Sequence, residues 1–94
     1  MLCAKYHHNF YHSDCEMRVI ESIFHPGCFV VRNHIKARNV VVSAAKDPST
    51  DEETIFTSYE EAAEWLRCRI LELEDLGGIT NVKFDHWDLE RKYE

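Results

Sequence analysis

Residues 13–24 read Ser13-Asp14-Cys15-Glu16-Met17-Arg18-Val19-Ile20-Glu21-Ser22-Ile23-Phe24, and the way this stretch folds decides the architecture. Ser13 and Glu16 stand at the spacing of a capping box, where a serine oxygen accepts the backbone N–H three residues on and the glutamate bonds back. On a helical wheel Met17, Val19, Ile20, Ile23 and Phe24 gather on one half, and Arg18, Glu21 and Ser22 fill the other. As a strand, the same residues set Ile20 beside Arg18 on one face and Glu21 beside Val19 on the other, a less tidy segregation. The stretch therefore predicts a helix, stopped by Pro26-Gly27.

Toward the N-terminus, Leu2, Ala4, Tyr6, His8 and Phe10 alternate, and their aromatic content favours a strand. Toward the C-terminus, 28–35 and 39–45 are β-rich runs joined by Lys36-Ala37-Arg38, a hairpin pattern. Residues 46–52 are loop by composition, and Thr54-Ile55-Phe56-Thr57 reads as a short extra strand returning to the second hairpin strand. Ser58 and Glu61 form a second capping box, Glu60 and Glu61 suit the positive end of a helix dipole, and Tyr59, Ala62, Ala63, Leu66, Ile70 and Leu73 make one apolar stripe. A helix over 59–76 follows, ended by Gly77-Gly78. Residues 79–87 then read as a strand, with Val82 and Phe84 facing the same way.

The order strand, helix, strand, strand, helix, strand is that of the ferredoxin-like βαββαβ arrangement. The expectation is one α+β domain over 1–94, with two helices on one face of a mainly antiparallel sheet of about four strands. Ninety-four residues suffice for one core, but not for a deep private substrate cavity as well. No apolar run approaches the ~20 residues of a membrane span, and no basic stretch precedes an apolar one at the N-terminus. A cytoplasmic protein is expected, with Cys3, Cys15, Cys28 and Cys68 reduced.

Net charge is −6, and its distribution is uneven. The first 46 residues carry six Lys/Arg against three acids, whereas the remainder carries five against fourteen. Asymmetry of this kind points to a charged partner. Asp47, Asp51, Glu52, Glu53, Glu60, Glu61 and Glu64 crowd into eighteen residues, and Trp65 adds an apolar anchor beside them. These eight residues are the candidate partner-binding set. The expected function is a small acidic, non-enzymatic interaction module, a regulator or inhibitor that docks on a protein with a basic surface. A phage-type inhibitor covering a nucleic-acid-binding surface is one form of it. Trp65, Cys68 and Leu71, off the helix stripe, also offer a face for a homodimer.

Other chemistries have weaker support. Cys3, His7, His8, His12 and Cys15 are zinc-ligand types within thirteen residues, but the CxxC and HExxH spacings are missing. A zinc module is therefore the lesser alternative. Another is a small-molecule enzyme with its site between the subunits of a dimer, His8 and His86 acting as bases. Asp85-His86-Trp87-Asp88 puts a histidine among acids, but no nucleophile or phosphate-binding glycine loop accompanies it. No cofactor is expected. Arg32, His34, Lys36 and Arg38 surround the hairpin tip, yet residues 39–43 lack the aromatics of an RNA-reading strand, so direct nucleic-acid binding is not expected either.

Overall fold

A computed structural model describes residues 1–86. It contains β1 (Leu2–His8), β2 (Ser13–Glu21), β3 (Phe29–Ile35), a short 3-10 turn (Lys36–Arg38), β4 (Val40–Ser43), α1 (Tyr59–Asp75) and β5 (Ile79–His86). The five strands form one sheet in the order β4-β3-β2-β1-β5, with every neighbouring pair antiparallel. The single helix packs over β1, β2, β3 and β5.

The expected pair of helices on about four strands is thus corrected to one helix on five strands. The difference lies entirely in residues 13–24. Residues 13–21 form β2, a central strand flanked by β1 and β3. Its helix-side positions Ser13, Cys15, Met17 and Val19 are all buried. The opposite positions Asp14, Glu16, Arg18 and Ile20 line the uncovered face. Two hairpin neighbours give this strand its full ladder of hydrogen bonds, an advantage that no single-segment pattern reveals. Glu16 and Arg18 neutralise each other on the open face, which removes the objection to placing charges there. Ile23 and Phe24, expected on a helix core face, lie exposed in the loop after β2.

Outside that stretch β1, the β3–β4 hairpin, α1 and β5 follow their patterns, whereas Phe10 lies exposed beyond β1 and residues 54–57 depart from theirs. Leu2, Ala4 and Tyr6 are buried under α1, and Val31 and Ile35 of β3 continue the same face. Asn39 turns the hairpin in a left-handed conformation, φ 50°, a region asparagine tolerates. Residues 54–57 do not form a strand of their own. They pair through one bridge, Phe29 with Phe56, and Thr54 donates to the Ala45 carbonyl. The core centres on Leu66 and Ile70 of α1 over Ala4, Met17, Val19 and Val31. At the end of α1, Gly77 takes φ 75°. Its N–H reaches the Glu74 carbonyl while Gly78 reaches Leu73, a Schellman closure.

Candidate partner-docking surface

The first turn of α1 is fixed from several directions. Ser58 is extended and its Oγ accepts the Glu61 N–H at 3.2 Å. Tyr59 stacks edge-on against Phe29 at 5.8 Å between ring centroids, and its hydroxyl accepts the Leu2 N–H at 2.8 Å. Phe56 exchanges both backbone hydrogen bonds with Phe29, each 2.8 Å. The Phe56 ring comes to rest 6.3 Å from that of Trp65, nearly two turns into the helix.

These two rings lie in the floor of a wide, shallow groove of about 720 Å³, lined by Phe56, Trp65 and Cys68 and rimmed by Glu60, Glu61 and Glu64. Four of the eight expected partner-binding residues meet here. Glu60 carries no ion pair among the described residues. Glu61 accepts from the Thr57 hydroxyl, and Glu64 lies 3.7 Å from Arg67, an exposed i,i+3 pair of little energetic weight. The Cys68 thiol donates to Glu64 at 3.5 Å. That hydrogen bond pushes the Cys68 thiol up from its ordinary value, so the exposed sulfur stays protonated and is a poor nucleophile.

The other four acids are differently disposed. Asp47 accepts from the backbone and hydroxyl of Ser49, at 2.8 and 2.7 Å, and these bonds hold its carboxyl below the usual range. Asp51 sits 3.6 Å from Lys46. Glu53 is gripped by the Arg32 guanidinium through two contacts of 3.1 Å and by the Ser43 hydroxyl. The Arg32 bonds, with the Ser43 hydroxyl, hold Glu53 below the ordinary glutamate value. Only Glu52 is exposed without a side-chain partner among the described residues. Asp47, Asp51 and Glu53 thus serve chiefly to close and anchor their own loop, while the groove acids face solvent.

Much of the acidic excess of the second half of the chain lies on the helix. The helix presents Glu60, Glu61, Glu64, Glu72, Glu74 and Asp75 against Arg67 and Arg69. The open sheet face carries Lys5, Arg18, Arg32 and Lys83, with Lys36 reaching over it, and these are answered by Asp14, Glu16, Glu53 and Asp85. At its centre Glu16 is buried, yet within 4 Å of three cations. Arg18 bonds it through Nε at 2.9 Å and through a terminal nitrogen, and Lys5 and Lys36 stand at 3.9 and 3.7 Å. No sequence pattern pointed to this cluster, because the helical reading dispersed its members.

The cysteine and histidine positions also separate. Strand alternation places Cys3 and His7 on the open face but His8 and Cys15 on the helix side, and His12 occupies the intervening turn at φ 49°. Among the described residues no three His, Cys, Asp or Glu side chains converge as metal ligands. All four cysteines are free thiols. His8 accepts the Phe10 and Tyr11 N–H groups on Nδ1, each at 3.2 Å, which assigns it to the β1–β2 turn. Trp87 and Asp88, flanking the histidine proposed as a second base, lie outside the described residues. No described helix is long and apolar enough to cross a membrane. Neither protein-family models, nor curated proteins, nor solved structures give a match to this chain.

Proposed function

We propose that this protein is a non-enzymatic interaction module that seats a basic, amphipathic segment of a partner protein in the groove along α1, and so regulates or inhibits that partner. The observation that carries the reading is the pairing of an apolar floor, Phe56 and Trp65, with a rim of solvent-facing carboxylates, Glu60, Glu61 and Glu64. An aromatic floor supplies the desolvated anchor that dominates docking energy. The acidic rim accelerates capture of a positively charged segment and rejects acidic ones. Asp47 and Asp51 pair within their loop, Glu53 is bound by Arg32 and Ser43, and Glu52 does not line the groove, so the proposed docking set is Phe56, Glu60, Glu61, Glu64, Trp65 and Cys68.

A defined probe tests this: a helical peptide of alternating Lys and Leu faces, titrated into isotopically labelled protein, with an acidic analogue as control. Shifts centred on Phe56, Glu60, Glu64 and Trp65, salt-sensitive and weakened about tenfold or more by the triple change E60K/E61K/E64K, are expected. Perturbations spread over the open sheet face, or equal response to the acidic analogue, refute the reading.

A further inference from the structure

The two edges of the sheet are built differently. At one edge, β5 is broken by a register shift opposite Lys5 to His7, Asn81 adopts φ 57°, and Lys83 and Asp85 stand exposed. A kinked, charged edge resists pairing with another chain. At the other edge, β4 has an unbroken register against β3. Its Val40, Val41 and Val42 are 40%, 59% and 42% exposed, with no charge, proline or bulge among them. Shortness is its one protection.

The hydrogen-bonding direction of β4 can be assigned. Ala44 donates to the Val31 carbonyl on β3, so by alternation Val42 and Val40 also bond toward β3. Val41 and Ser43 then turn their N–H and C=O groups outward. Among the described residues nothing bonds to those outward groups.

We propose that β4 pairs antiparallel with β4 of a second copy of this chain, about a twofold axis through Val41, joining two sheets into one. A twofold contact must be complementary to itself, and a run of three identical residues centred on the axis meets that condition. Val41 lies opposite the partner's Val41, Val40 opposite the partner's Val42, and Asn39 opposite the partner's Ser43. Each central pair is β-branched against β-branched, a favourable cross-strand combination, and no like charges oppose each other within the strand. Val41 is also the residue whose backbone points outward, so the central pair exchanges two hydrogen bonds. The contact is small, which sets the association in a weak range, about 0.1–1 mM.

Sedimentation equilibrium of the whole chain from 20 µM to 1 mM, roughly spanning that range, tests the inference. Dimer should accumulate across it. Val41→Lys, at an exposed site, should weaken association at least tenfold with an unchanged circular dichroism spectrum. Thr80→Lys on the β5 edge and the groove variant E60K/E61K/E64K should leave it intact, which keeps this inference separate from the groove reading. In the unmodified protein, amide exchange at Val41 and Ser43 should slow with rising concentration. A monomer throughout, a dimer indifferent to Val41→Lys, or concentration-independent exchange at Val41 overturns it.

Discussion

Replacing Glu16 by glutamine keeps the side chain's shape and removes the charge that three cations share. The carboxylate is almost fully buried, with a side chain 8% exposed, whereas Arg18, Lys5 and Lys36 are 34%, 49% and 50% exposed. Breaking a wholly buried pair costs about 3–5 kcal/mol, and an exposed pair contributes about 0–1. The half-wet cations place Glu16→Gln between these limits, at about 1–3 kcal/mol. For a domain of this size that lowers the melting temperature by roughly 5–20 °C. Burial by itself raises the Glu16 carboxyl, but the Arg18 bonds, with Lys36 and Lys5 behind them, outweigh it and hold the group below its ordinary value. A carboxyl depressed in the folded state contributes fully above its unfolded pKa of about 4.3, and the contribution fades as pH falls through the folded value. Urea denaturation at pH 7 and pH 3 should therefore show a clear gap between wild type and Glu16→Gln at neutral pH that closes in acid. A gap under about 0.5 kcal/mol at pH 7, or one of equal size at pH 3, would refute the assignment of Glu16 as the hub of the open face.

Leu66→Ala empties the centre of the core, where Leu66 is completely buried, and should cost about 2–5 kcal/mol in the same denaturation assay. Ser58→Ala removes the hydroxyl that caps α1 and should cost about 1 kcal/mol, with Ser58→Asp recovering most of it. His8 is held below its ordinary value by burial and then by His7. Its neutral Nδ1 accepts two N–H groups, so stability should fall as pH drops below the unfolded histidine value of about 6.5. The fall between pH 7 and pH 5 should be smaller in His8→Gln.

Helix α1 was legible because its determinants are local: a capping serine, acids in the first turn, a full apolar stripe and a glycine closure all lie within twenty-one residues. The hairpin of β3 and β4 was legible for the same reason. Strand β2 was not, because Ser13 and Glu16 mimic a capping box while serving distant partners. Ser13 Oγ accepts the Ala37 N–H at 2.9 Å, tying down the turn before β4, and Glu16 collects Lys5, Arg18 and Lys36. Both uses depend on residues brought close only by the sheet. The acids of the groove could be read from their helix positions. Phe56, the other half of its floor, could not, since its placement depends on the bridge to Phe29. Nor could sequence separate Glu53 from the helix acids, because the distinction is made by Arg32, twenty-one positions earlier.

Strand β1 lies between β2 and β5, so the first strand described takes its second neighbour from the last one described. During synthesis the β1–β2–β3–β4 ladder can zip from short hairpins, but the Leu2–His8 margin stays open until Ile79–His86 leaves the ribosome. Contacts this distant in sequence are slow to close and leave a sticky border meanwhile. A ribosome stalled before Ile79 would hold a chain with two unguarded borders, so translational pausing there bears directly on whether the protein reaches its native state or clumps.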